Sequence, residues 1–210
     1  MGGAGAGTVV LAAAAGFVVG VWSAGFLDPR IRPRRTLLGG VVAALFAAVV
    51  VRLGLVWSLP AIGYLAALAA VLTVVDLRDR RLPDRLVLPS YPIGIVLLGV
   101  AAGATHDWAD AGRAAAGMVV LLAGYGMLVL LRPGAMGGGD VKVAGLLGLY
   151  LGFAGWGVLL LGTLLPFYGA ALAGVGLLLT GRGSRRSVLP FGPFLLAGAL
   201  SAILIHGSPT

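Results

Sequence analysis

The sequence predicts an all-α protein, a polytopic membrane bundle of about eight transmembrane helices with both termini outside. Three observations carry this. Hydrophobic residues make up 60% of the 210 residues, charged residues only 10%, and the mean hydropathy is +1.06. Soluble domains are roughly 45–50% apolar and about 25% charged. A membrane-crossing helix takes about 20 apolar residues, so a chain of 210 residues accommodates about eight crossings and leaves no room for a sizeable soluble domain. The apolar runs themselves are separated by short polar stretches that hold nearly all of the basic residues.

The first span covers about 7–27, followed by the arginine-rich loop 28–35. Spans two and three cover about 36–57 and 59–77, and a polar stretch follows over 78–90. Span four, about 91–104, is short; span five runs about 114–131 and leads into the loop 132–142. The apolar stretch 143–180 is too long for one crossing and breaks best in the glycine-containing region between Gly152 and Gly157, giving spans at 143–155 and 157–180. The loop 181–187 is basic, and the last span covers about 188–206. One domain, 1–210, is the simplest organisation, with no internal repeat, heptad pattern or low-complexity linker.

Charge placement fixes the expected orientation. Loops 28–35, 78–90, 132–142 and 181–187 carry four, four, two and three Lys/Arg, thirteen of the fifteen. Eight spans with the N-terminus outside put all four loops on the cytoplasmic side, as the positive-inside rule requires. Arg113 then falls in an outer loop, and Arg52 near the outer end of span two snorkels to the interface. Reading 143–180 as a single span would put Arg182, Arg185 and Arg186 outside. The net charge of +8 is thereby accounted for without a nucleic-acid partner. The first span is expected to be an anchor and not a cleaved signal, because its basic cluster follows the apolar run.

Composition also excludes chemistries. Cysteine is absent, which rules out disulfides, thiolate zinc sites and a cysteine nucleophile. There is no Glu; the acidic residues are seven Asp, at 28, 76, 79, 84, 107, 110 and 140. No H-E-x-x-H, G-x-S-x-G, P-loop or dinucleotide fingerprint is present, and Lys142 is the sole lysine. His106 and His206 lie in the outer loop and near the C-terminus and are expected to be solvated.

Ionisable residues at helix ends facing a bundle interior are functional candidates. Asp76 follows Val71-Leu-Thr-Val-Val75 at the end of span three; its plain alternative is an i,i+4 pair with Arg80. Asp140 follows three glycines in Met136-Gly-Gly-Gly-Asp-Val-Lys142. Glycines permit left-handed backbone or close approach; the plain alternative for Asp140 is a helix N-cap. The topology puts Asp76 and Asp140 on one membrane face. Two carboxylates brought close cannot both ionise easily, so one keeps a proton while the other acts as base. Such a pair activates water and protonates a leaving amine, which needs no metal and no cofactor.

Here the sequence resembles a known family. Asp76-Leu-Arg-Asp-Arg-Arg-Leu-Pro-Asp84 with Leu86-Val-Leu-Pro89 is similar to the first aspartate motif of the type IV prepilin peptidases. Gly137-Gly-Gly139-Asp140-Val-Lys142 with Gly145-Leu-Leu-Gly148 is similar to their G-x-G-D motif, shared with presenilin-type proteases. Leu189-Pro-Phe-Gly-Pro-Phe194 resembles their proline-containing last span. The resemblance implies that Asp76 and Asp140 are a catalytic pair that removes the short basic leader from type IV prepilin or pseudopilin precursors, usually after a Gly, at the cytoplasmic face of the bacterial plasma membrane. It also implies supporting places for Gly137, Gly139, Asp84 and Lys142: Asp84 bracing the loop after Pro83, Lys142 tuning Asp140 or binding substrate. Asp79, beside Arg80 and Arg81, matches no required position.

One departure stands out. Full-length bacterial members insert a cytosolic domain after the first span, typically with two cysteine pairs suited to zinc, and methylate the new N-terminus. Here that insertion is reduced to 28–35 and cysteine is zero. A peptidase without the N-methyltransferase activity is the expectation. Competing classes fit less well. A proton- or cation-coupled transporter using Asp76 and Asp140 would want ionisable groups at mid-bilayer depth and repeat symmetry. A metal-dependent lipid transferase would want several Asp at helical spacing on one segment, where only Asp76 and Asp79 come near it.

Overall fold

The computed structural model describes residues 5–23, 35–132, 136–181 and 190–206. These form eight α-helices: α1 Ala6–Ser23, α2 Arg35–Leu53, α3 Leu59–Asp79, α4 Asp84–Thr105, α5 Trp108–Leu131, α6 Gly138–Ala154, α7 Trp156–Leu179 and α8 Gly192–His206. Six contain apolar stretches long enough to cross a membrane, in α1 to α5 and α7; α8 is a shorter apolar helix. The chain is a multi-pass helical membrane protein. The basic loops predicted over 28–35 and 181–187 lie largely outside the described residues.

The hairpin predicted inside 143–180 is present. It turns at Gly155, whose φ of +130° is a backbone conformation that L side chains rarely adopt. Three boundaries differ from the sequence expectation. The stretch 84–90, expected as loop, is the first part of α4, so the polar connection shrinks to four residues, 80–83. Pro89 and Pro92 sit inside this helix, a placement that membrane helices tolerate when neighbouring groups take up the freed carbonyls. Ser90, between the two prolines, adds a local bond of another kind, its hydroxyl donating to the Leu86 carbonyl at 2.6 Å. α5 starts at Trp108 and not near 114, capped by the Asp107 carboxylate, which accepts from the Ala109 N–H at 3.1 Å. α6 begins within the glycine run, at Gly138.

α3 and α6 form the centre. Every residue from Val143 to Phe153 of α6 is buried, and most of α3 from Ala61 to Leu72 is buried as well. A helix apolar and buried all round belongs inside a bundle. α5 packs along α6, α1 along α2 and α7 along α8. Small residues permit these approaches, as expected in lipid where packing replaces hydrophobic drive. A Cβ on Gly148 would collide with the Gly117 carbonyl oxygen, and one on Gly198 would lie 2.6 Å from Pro166 Cδ. At the far end, the buried Asp110 carboxylate pairs with Arg113, whose guanidinium also reaches the Phe153 carbonyl at 3.5 Å. Arg113 is thus a helical residue in an ion pair, not a loop residue. Arg52 donates to the Ile205 carbonyl at 2.9 Å, which places the C-terminal ends of α2 and α8 at one face of the bundle.

Candidate functional site

The opposite face gathers the end of α3, the connection 80–83 and the starts of α4, α6 and α8. α3 stops because Arg80 takes a left-handed conformation (φ 49°) and its N–H caps the Asp76 carbonyl. Pro83, extended, then sets up α4 at Asp84. The Asp76 side chain itself is buried, only 5% exposed, and its Oδ2 has no hydrogen-bond partner. The Arg80 pairing is not made. A buried carboxylate oxygen left without a partner is costly and marks the residue as more than a helix brace.

α6 starts from Gly137, and Asp140 stands at the third helical position, so it is not the N-cap residue itself. Its Oδ2 accepts from the Gly137 N–H at 3.3 Å, satisfying one orphan donor of the first turn. The glycine run does not adopt left-handed backbone: Gly137 has φ −75°, and among the described residues the positive-φ glycines are Gly54, Gly155 and Gly181. Close approach is the reason for one of the three. A Cβ on Gly139 would stand 3.0 Å from Leu82 Cβ and 3.4 Å from its carbonyl oxygen, whereas one on Gly138 would meet nothing.

Leu82 therefore links the two aspartates. It packs against Gly139, one residue before Asp140, and its Cδ1 lies 3.4 Å from where a Gly192 Cβ would be. That same Cβ would stand 2.6 Å from Asp76 Oδ2. Asp76 and Asp140 thus border one contact, Asp76 through Gly192 and Asp140 through Gly139, both packed on Leu82.

The supporting residues are organised around the start of α6. Lys142 does not engage Asp140; its ammonium donates to both oxygens of Asp84 at 2.7 Å, clamping α6 to the start of α4. Tyr91 of α4 adds a second tie, its hydroxyl donating to the Lys142 carbonyl at 2.5 Å. Gly145 leaves room for that hydroxyl, since a Cβ there would stand 2.5 Å from Tyr91 Oη. Asp79, Arg80 and Arg81 are exposed, as are His106 and His206. No group of three or more His, Cys, Asp or Glu suited to a metal ion occurs among the described residues.

An apolar groove of about 850 Å³ runs between α2, α3 and α8. On α3 it is lined by Ala69, Thr73 and Leu77, on α8 by Pro193 and Ala197. Leu77 and Arg78, which follow Asp76, and Pro193, which follows Gly192, line the groove, so it passes the residues next to the buried Asp76. Gly192, Leu82 and the groove were not singled out from sequence; the signal available was the pair Pro190 and Pro193 on either side of Gly192, which marks a helix start but not what it touches.

Fold and site together define a multi-pass membrane protein with two carboxylates brought together at one end of its bundle. Residues 63–179 match the type IV leader peptidase family. Similar proteins named prepilin leader peptidase/N-methyltransferase include those of Bacillus subtilis (strain 168), 30% identical over 80% of this chain and 64% of that protein; of Pseudomonas putida, 34% identical over 84% and 58%; and of Aeromonas hydrophila, 33% identical over 86% and 61%. This chain belongs to the type IV leader peptidase family. It spans about three-fifths of the length of those relatives. No solved structure matches it.

Proposed function

We propose that the chain is a membrane aspartyl endopeptidase that removes the short basic leader from type IV prepilin or pseudopilin precursors at the cytoplasmic membrane face. The observation that carries this reading is the buried Asp76 carboxylate, its Oδ2 without a partner, joined through Gly192 and Leu82 to the glycine that precedes Asp140, each aspartate held on one of the two central helices. Family membership and the relatives' names support the substrate class.

In this mechanism one carboxyl of the pair holds the proton while the other, ionised, takes a proton from water as it attacks the scissile carbonyl. The protonated partner hydrogen-bonds the carbonyl oxygen, and the tetrahedral intermediate collapses as a carboxyl returns a proton to the leaving amine. Asp84 and Lys142 act by fixing the start of α6, and Gly139 by letting it sit against Leu82. The α2–α3–α8 groove suits an apolar precursor helix lying in the bilayer with its leader emerging at Asp76. The basic side chains of this end, Arg78, Arg80, Arg81, Arg85, Arg132 and Lys142, support its cytoplasmic placement, and with it the orientation that leaves both termini outside. No chemistry of this site calls for a cofactor, and without the cysteine-bearing insertion we read the chain as a peptidase that leaves the new N-terminus unmethylated.

The test is cleavage of a co-expressed pilin precursor in membranes, read by mass spectrometry of its N-terminus, for the wild type and for Asp76→Asn and Asp140→Asn at matched expression. Cleavage after the leader Gly, lost in both variants, with a free unmethylated amine, is the expected result. Full cleavage in either variant would refute the two-aspartate mechanism. An intact precursor with the wild type would refute the substrate assignment.

A further inference from the structure

One buried polar group close to the aspartates has no place in the scheme above. Tyr125 belongs to the buried stripe of α5, Asp110, Ala114, Gly117, Leu121 and Tyr125, which faces α6. The residue is 2% exposed and its hydroxyl has no hydrogen-bond partner. Buried tyrosine hydroxyls ordinarily find a partner. The packing of α5 on α6 fixes the level at which this one lies. Gly117 abuts Gly148, Gly145 abuts Leu122, and a Cβ on Gly126 would stand 3.9 Å from Val141 Cγ1. In this antiparallel register Tyr125, one residue before Gly126, stands level with Lys142, two residues beyond Asp140 along α6.

The ring is held in place. Tyr125 and Phe167 of α7 have centroids 5.9 Å apart, and Phe167 and Phe191 are 5.3 Å apart. Phe191 in turn precedes Gly192, the residue packed on Asp76. At the start of α6 two side-chain donors are already engaged: Lys142 with Asp84, and the Tyr91 hydroxyl with the Lys142 carbonyl. Among the described residues Asp140 itself is tied only through the Gly137 N–H, at 3.3 Å, beyond the usual range for such bonds.

We propose that Tyr125 is a positioning residue for Asp140, its hydroxyl donating to the Asp140 carboxyl group in the membrane-embedded protein and fixing the rotamer that faces Asp76. Its kinetic consequence rests on the peptidase reading, but the contact does not. In steady-state cleavage of a precursor, Tyr125→Phe keeps the ring stack and removes only the oxygen. The expected result is a kcat lowered roughly 10- to 100-fold, the range for a lost hydrogen bond to a charged group, with KM changed less than about twofold.

Two further variants separate a lost donor from altered packing. Tyr125→p-aminophenylalanine, which still donates, restores kcat to within about threefold of wild type; Tyr125→p-fluorophenylalanine, which cannot donate, does not. Wild-type kcat in Tyr125→Phe, or equal behaviour of the amino and fluoro variants, overturns the proposal. Infrared spectra of the reconstituted chain ask the same question without turnover, the Asp140 carboxyl band being identified by its loss in Asp140→Asn. That band shifts in Tyr125→Phe if the contact exists, and an unmoved band overturns it. A shifted band beside a wild type that leaves precursors intact keeps the contact and refutes the peptidase reading alone.

Discussion

Gly192 offers the sharpest test of how closely the structure holds Asp76. A methyl added there would lie 2.6 Å from Asp76 Oδ2, 3.1 Å from its Cγ and 3.4 Å from Leu82 Cδ1. Ordinary contacts of this kind begin near 3.4 Å, so the carboxylate in Gly192→Ala must retreat by about 0.8 Å or α8 must shift by a similar distance. Displacement of a reacting group by about 1 Å costs roughly 10²-fold in rate, and overpacking itself costs about 1–3 kcal/mol of stability. The control lies on the same helix. Gly198→Ala drives a methyl to 2.6 Å from Pro166 Cδ, an equally tight contact six residues from the site. Thermal unfolding in detergent and precursor cleavage per folded molecule are measured for both variants. Both lose stability by a comparable amount, but only Gly192→Ala loses cleavage, by roughly two orders of magnitude, while Gly198→Ala stays within about threefold of wild type. Wild-type turnover in Gly192→Ala would refute the reasoning that α8 sets the position of Asp76.

Two other predictions follow from the same end of the bundle. The Asp84–Lys142 pair is 55% and 40% exposed, so Lys142→Ala costs less than about 1 kcal/mol of stability, yet it lowers cleavage several-fold by loosening the start of α6. The exchanged pair Asp84→Lys with Lys142→Asp recovers most of that activity in a double-mutant cycle, and an exchange no better than either single variant would sink the clamp. In the groove, Ala197→Trp fills space between α2 and α3 and raises KM for a full-length precursor about tenfold, a binding loss near 1.4 kcal/mol. Leu160→Trp, on an exposed stretch of α7, leaves KM unchanged, and equal KM values for the two would remove the groove from the substrate path.

What sequence could and could not foresee has a physical pattern. Helix number and the break at Gly155 were legible because hydropathy and the placement of arginines are each read over a whole segment. The start of α4 was not, because Asp84 and Arg85 look like loop residues and Pro89 and Pro92 like breakers, although a membrane helix tolerates all four when its polar end projects past the apolar layer. The glycine run before Asp140 suggested unusual backbone, yet its torsions are ordinary and only Gly139, pressed on Leu82, needs to lack a side chain.

The deeper limit is that lipid and protein core are both apolar. In a soluble helix the buried face announces itself by its period, but α6, buried on every side, and α7, with Leu160, Leu164, Tyr168 and Leu172 exposed, are written in the same residues. Nothing in composition says which of them stands at the centre. The aspartates escaped this ambiguity because a carboxylate near the bilayer is expensive wherever it sits, so its presence alone implies a use. Tyrosine carries little such cost, and glycine none. Gly192, packed on Asp76, and Tyr125, buried with an unpartnered hydroxyl, therefore become visible only when the helices are packed together, and the charged residues alone do not reveal them.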